Sequence, residues 1–298
     1  MLVSFVESMG TRWSEGVDPD EATQAWGAGL LVGAGGEREP VASVSDLDAD
    51  GVPVRVYRPE SESRLALVVF FHGGGFTIGS VDSHDPITRR LANRVPAVVM
   101  SVGYRTGPAH RFPAAHDDAW TALRWAASHA DALGADPARV AAAGDSSGAG
   151  LATYLAIRSR DENGPALRLQ MLWLPWIDCN FDQASFEEFG DGFVLDADAM
   201  HWFRDSYVGP ADYVDWRVSP ARTRDLTGLA PAFVATAECD PLRDQGEEFA
   251  QRLRAADVDV AGGRYDGTYH PFYGMTAMLE AARRLEHDTV SALREALA

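Results

Sequence analysis

Arg139-Val140-Ala141-Ala142-Ala143-Gly144-Asp145-Ser146-Ser147-Gly148-Ala149-Gly150-Leu151 decides the fold. Arg139–Ala143 reads as a short buried strand and Gly148–Arg160 as a helix, with no room for a loop between them. The five residues at the junction, Gly144-Asp145-Ser146-Ser147-Gly148, match G-x-S-x-G. A strand that runs straight into a helix must turn sharply, and small residues on either side of the apex let the chain bend without collision. The frame selects the apex. Ser146 has Gly144 and Gly148 two positions away, whereas Ser147 would have Asp145 and Ala149. Ser146 is therefore the expected nucleophile, and the backbone N–H of Ser147 an expected oxyanion donor. Five-residue patterns recur by chance, but the strand–turn–helix context argues against chance here.

Upstream and downstream, buried strands alternate with helices. Leu65–Phe71 is an unbroken apolar run, as expected of a parallel strand covered on both faces. Thr88–Val95 reads as a helix, Ala97–Val102 as a strand, and Ala114–Ala130 as a helix with Ala119, Trp120, Leu123 and Ala127 at helical spacing. Leu167–Leu174 and Pro231–Ala237 are further strands, and Val258–Val260 with Gly263–Tyr265 is a weaker last one. Helices are expected over Leu242–Ala255 and Gly274–Leu297. The repeat argues for an α/β fold with a mostly parallel central sheet and helices on both faces. Two strands before it, Val41–Asp46 and Val52–Tyr57, flank Asp50-Gly51 as a hairpin. Asp18-Pro19-Asp20-Glu21 is expected to cap a helix through Trp26 and Leu30, broken at Gly33-Ala34-Gly35-Gly36. Residues 179–217 interrupt the rhythm with acids and aromatics but no clear strand. They read as a lid with a short helix at Asp198–Tyr207.

Composition narrows the function classes. The net charge is −18, and no basic footprint for nucleic acid or for an anionic membrane surface is visible. All 26 basic residues are arginine, so lysine Schiff-base chemistry and a phosphate-binding P-loop are excluded. Cys179 and Cys239 stand far apart with no C-x-x-C, which suggests neither a disulfide framework nor a zinc site and fits a reducing cytoplasm. Met1-Leu2-Val3-Ser4-Phe5-Val6-Glu7 lacks the basic start of a signal peptide, and no apolar run approaches the ~18 residues of a membrane span.

A second motif, His72-Gly73-Gly74-Gly75-Phe76, follows the Leu65–Phe71 strand directly. Three glycines leave backbone N–H groups exposed to a ligand, as stabilisation of a tetrahedral oxyanion requires. A glycine triplet alone is weak evidence; its place after a strand and before the serine turn strengthens it. His72 precedes the loop and is expected to hold its shape. A serine nucleophile needs a base, and the base an orienting acid. After the serine turn only His270 and His287 lie far downstream. His287 sits in a charged terminal helix, whereas His270 lies in the loop Asp266-Gly267-Thr268-Tyr269-His270-Pro271-Phe272 after the last strand. Four acids compete. Asp240 ends the strand Pro231–Ala237 and is favoured, Asp178 is the runner-up, Asp244 falls on the next helix, and Asp266 is too near His270 in sequence.

Together, these residues resemble the bacterial hormone-sensitive-lipase-like esterases. The matching pieces are His72-Gly73-Gly74-Gly75, Tyr104-Arg105, Phe112-Pro113-Ala114-Ala115, Gly144-Asp145-Ser146, Asp240-Pro241-Leu242-Arg243-Asp244 and His270, in order along the chain. The resemblance implies an α/β-hydrolase fold, with Ser146, Asp240 and His270 as triad and Gly73, Gly74 and Ser147 as oxyanion donors. It also implies cap helices at 1–40, a catalytic domain at 41–178 and 218–298, and a cap insertion at 179–217. The implied reaction is hydrolysis of short- to medium-chain acyl esters without metal or organic cofactor. The sequence departs from the pattern at Ser147, Ala149, Thr106-Gly107-Pro108-Ala109 and Pro271, where the family usually has Ala, Gly, L-A-P-E and Gly. No catalytic group is lost.

Trp26, Phe76, Phe193, Trp202, Phe203 and Tyr207 are candidates to line an acyl or alcohol pocket, though packing is the favoured reading for any single one. Tyr104 and Arg105 are expected to be structural, and Asp117-Asp118 a solvated helix face or buried pair. Amides, lactones or aryl esters are alternative substrates of the same triad, and a receptor that has lost catalysis is the alternative class. A small-molecule ester is the expected partner, with a possible homodimer through the C-terminal edge strand.

Overall fold

The computed structural model describes residues 18–298. The reading of Met1–Glu7, and the first part of the expected 1–40 cap, lie outside the described residues.

The chain builds one eight-stranded sheet in the order β1-β2-β4-β3-β5-β6-β7-β8. The strands are β1 (Ser43–Ala49), β2 (Val52–Arg58), β3 (Leu65–Phe71), β4 (Ala97–Val102), β5 (Ala135–Asp145), β6 (Leu169–Trp173), β7 (Ala232–Cys239) and β8 (Val260–Tyr269). β1 pairs antiparallel with β2, and β2 antiparallel with β4; every other pairing is parallel. The hairpin turns at Asp50 and Gly51, both with positive φ, and Gly51 N–H donates to Asp48 Oδ1 at 2.7 Å. That is the turn chemistry that Asp-Gly supplies.

The helices are α1 (Pro19–Gly33), α2 (Asp85–Arg94), α3 (Ala114–Ser128), α4 (Ser147–Asp161), α5 (Ala184–Glu188), α6 (Ala197–Tyr207), α7 (Arg243–Ala255) and α8 (Glu280–Ala296). β3 shows why its sequence is apolar throughout. Leu65, Leu67, Val69 and Phe71 pack into the core on the α3 and α4 side, and Ala66, Val68 and Phe70 into the core shared with α2 and α8. A strand between two helical layers has no face left for water. Asp18 caps α1 as expected, its Oδ1 accepting from Asp20 N–H and Glu21 N–H.

Three expectations need correction. β5 is longer than Arg139–Ala143, because the chain already pairs with β3 from Ala135. The weak, divided last strand is continuous over Val260–Tyr269; parallel pairing to β7 keeps Gly262, at a φ of 88°, and Gly263 in the sheet where their own propensity does not. The terminal helix starts at Glu280, not Gly274, since Phe272–Gly274 forms a separate 3-10 turn. Between β6 and β7 the chain leaves the sheet and carries α5, α6 and two 3-10 turns, Pro210–Asp212 and Pro220–Arg222.

Candidate active site

Ser146 sits between β5 and α4 with φ 52° and ψ −119°. For a non-glycine residue this is strained backbone, held only where the surroundings over-determine it. Three backbone bonds do so: Ser146 N–H donates to Trp173 O at 2.8 Å, and Ser146 O accepts from Trp176 N–H at 3.1 Å and Gly150 N–H at 3.2 Å. The flanking glycines are required by space. A Cβ on Gly148 would lie 2.0 Å from Phe71 O, and one on Gly144 2.4 Å from Gly148 C.

The imidazole and the acid come from the ends of β8 and β7. Asp240 Oδ1 accepts from Leu242 N–H at 2.8 Å, which leaves Oδ2 for His270 Nδ1, also at 2.8 Å. Both side chains are buried. Ser146 and His270 line one cavity. They are not hydrogen-bonded to each other in this structure; such contacts are often long before substrate binds.

The rival acids are engaged elsewhere. Asp178 accepts from Arg222 Nε at 3.0 Å and Asn180 N–H at 2.9 Å, and burial pushes its carboxyl up. Asp244 accepts from Ser185 N–H at 2.8 Å. Asp118 takes the Arg105 guanidinium, so Asp117-Asp118 forms no acid pair.

The glycine loop corrects an expected donor. Gly73 N–H donates to Asp145 Oδ1 at 3.0 Å, so it is committed inside the protein. The loop residues on the cavity wall are Gly74 and Gly75, with φ 113° and 62°. Gly75 was the residue that the motif alone did not single out. Its signal is position: the first glycine stands only two residues past the end of β3. His72 holds the loop as expected, donating from Nδ1 to Gly73 O at 2.8 Å and stacking on Tyr104 at 4.2 Å. Burial drives its pKa down to about 3, so it is neutral.

Asp145 itself is fully buried beneath the serine. Burial opposes its charge, yet His84 and the Tyr273 hydroxyl outweigh that and keep the carboxyl below its ordinary value.

The rest of the cavity wall is apolar: Trp26 from α1, Ile78 and Trp176, and Val194, Leu195, Met200 and Phe203 from the excursion after β6. Of the six aromatic candidates, Trp26 and Phe203 line it. Phe76 and Tyr207 stack on each other at 4.7 Å in the core, Trp202 packs edge-on to Phe203 at 5.1 Å, and Phe193 is exposed against Phe189. Among the described residues, no helix is long and apolar enough to cross a membrane.

Residues 68–274 match the α/β-hydrolase fold family model. The chain is 40% identical over 251 residues to carboxylesterase NlhH of Mycobacterium tuberculosis, an alignment covering 83% of this chain and 79% of that one. It is 38% identical over 275 residues to the ethyl acetate hydrolase of Pseudomonas putida, covering 89% and 86%. The fold superposes on a hyperthermophilic esterase from Pyrobaculum calidifontis with a TM-score of 0.92 and 36% identity, covering 100% of this chain and 97% of that one. With a serine turn, a glycine loop and an Asp–His pair around one apolar cavity, this chain belongs to the α/β-hydrolase fold family, as one of its hormone-sensitive-lipase-like carboxylesterases.

Proposed function

We propose that the chain hydrolyses neutral short- to medium-chain acyl esters through an acyl-enzyme on Ser146, with His270 as base and Asp240 as its orienting acid. The observation that carries this reading is the 2.8 Å contact between Asp240 and His270 Nδ1, with Ser146 and His270 on the wall of one cavity. With Nδ1 donating to Asp240, Nε2 is the free basic nitrogen. Ser146 Oγ attacks the ester carbonyl as its proton passes to Nε2. The amides of Gly74, Gly75 and Ser147 receive the negative charge on the carbonyl oxygen. His270 then protonates the leaving alkoxide as the C–O bond breaks. A water, deprotonated by the same nitrogen, releases the acid and restores Ser146.

Among the described residues, no carboxylate or guanidinium lines the cavity, which favours uncharged substrates. The relative named as an ethyl acetate hydrolase favours the short end of the acyl range. Trp26 on one side and Val194, Leu195, Met200 and Phe203 on the other support the described part of the N-terminal segment, residues 18–40, and residues 179–217 as a cap over the catalytic segments 41–178 and 218–298. Among the described residues no strand pairs beyond β8, and this edge is the proposed pairing surface for two copies. Free thiols at Cys179 and Cys239 fit a cytoplasmic setting.

A series of nitrophenyl esters from acetate upward, on wild type and Ser146→Ala, tests the reading. Turnover should peak at short acyl chains and vanish in the variant. Retained turnover in Ser146→Ala refutes it.

A further inference from the structure

Three loops meet at one carboxylate that the triad does not use. Asp145 is 0% exposed and stands immediately before Ser146. Its Oδ1 accepts Gly73 N–H at 3.0 Å and lies 3.3 Å from His84 Nε2. Its Oδ2 accepts the hydroxyl of Tyr273. Gly73 opens the glycine loop. Tyr273 lies just after His270, in the 3-10 turn Phe272–Gly274. The tyrosine ring stacks on Trp173 at 5.5 Å, and Trp173 O is the acceptor of Ser146 N–H. One side chain therefore joins the serine turn, the glycine loop and the histidine loop.

The inference rests on the catalytic reading above. We propose that Tyr273 is a positioning residue: by occupying Asp145 Oδ2 it fixes the carboxylate that anchors Gly73, and so sets where the amides of Gly74 and Gly75 stand relative to Ser146. A carboxylate is planar, so the direction of one oxygen dictates that of the other. Without the hydroxyl, Oδ2 is a buried anionic oxygen with no donor. The available relief is rotation of the carboxylate toward His84 and Gly73, and any rotation shifts the acceptor that holds the loop. A tight Cβ clearance marks how little room there is: a methyl on Gly73 would lie 2.1 Å from Asp145 Oδ2.

The consequence falls on the transition state. Full negative charge reaches the carbonyl oxygen only after Ser146 attacks, and donors displaced by a fraction of an ångström lose most at that moment. Ground-state binding depends on the apolar walls, which Tyr273 does not form. The expected signature is a fall in kcat with KM held. A tyrosine that only supported the fold would lower the number of competent molecules and leave each one's turnover normal.

Tyr273→Phe keeps the ring stacked on Trp173 and removes one oxygen. Titration to completion with a fluorophosphonate counts competent sites, so misfolded protein does not enter the rate. Per titrated site, kcat on nitrophenyl acetate should fall about 10- to 100-fold, with KM within about twofold of wild type. A trifluoromethyl ketone, which a serine captures as a tetrahedral oxyanion, should lose affinity by the same factor that kcat/KM loses. Normal kcat per site, or an unchanged ketone affinity, overturns the proposal. Ser146→Ala, assayed alongside, separates the two levels. If it still turns over, the catalytic reading fails; if it is dead while Tyr273→Phe is normal, only the role of Tyr273 fails.

Discussion

Ser185 and Asp244 grip each other twice: Ser185 N–H donates to Asp244 Oδ2 at 2.8 Å, and Asp244 N–H donates to Ser185 Oγ at 3.1 Å. The same hydroxyl donates to Pro241 O at 3.0 Å, one residue beyond Asp240. α5 is thereby fastened to the start of α7, and the loop bearing the acid is fastened to both. Ser185→Ala leaves a half-buried amide and a buried carbonyl short of a partner. Loss of folding stability of about 1–3 kcal/mol is expected, read as a lower urea midpoint at unchanged slope.

The two candidate acids give opposite expectations. Asp240→Asn removes the group that keeps His270 in its useful tautomer, and kcat should fall about 10⁴-fold, the loss seen for the equivalent change in a serine protease. Asp178→Asn touches Arg222 and Asn180 and not the imidazole, so kcat should stay within a few-fold. Steady-state kinetics on one nitrophenyl ester decides between them, and a larger loss at Asp178 would reverse the assignment.

Gly75 and Phe203 are pressed together on the cavity wall. A Cβ on Gly75 would lie 2.2 Å from Phe203 Cγ, at a φ of 62° that side chains disfavour. Gly75→Ala should cost most of the activity. Adding Phe203→Ala removes the clash but not the backbone strain, so it should restore part of that loss. A double-mutant cycle on kcat/KM measures the coupling, and strict additivity would show that the contact is not the cause.

Acid should destabilise the fold through two histidines. Burial drives both His72 and His116 from 6.5 down to about 3. Between those values the unfolded chain takes up protons that the folded chain refuses, so stability is full above pH 6.5 and declines as pH falls toward 3. Each group contributes at most about 1.4 kcal/mol per pH unit. Urea midpoints at several pH values should show the decline. His116→Phe, which keeps a ring against Tyr207, should flatten its slope even if it starts from a lower midpoint.

Local pattern carried much of this molecule. β3, β4 and α3 are legible because burial on one face or two imposes a period on a short window of residues. The turn at Ser146 is legible because glycines are the only residues that clear Phe71 O and the crossing backbone. β8 is not, since Gly262, at a φ of 88°, and Gly263 are held in the sheet by their partner strand and not by their own preference.

What the sequence by itself determined was the strand–helix alternation, the serine at its sharpest turn and the order of the pieces, all consequences of neighbours along the chain. Only the tertiary structure decided that Gly73 N–H is spent on Asp145, that Gly75 faces the cavity, and that Tyr273 closes the far side of that carboxylate. Those bonds join residues 72 and 128 positions apart. A hydrogen bond between such distant groups leaves no period in the sequence, because its geometry depends on the path of everything folded between them.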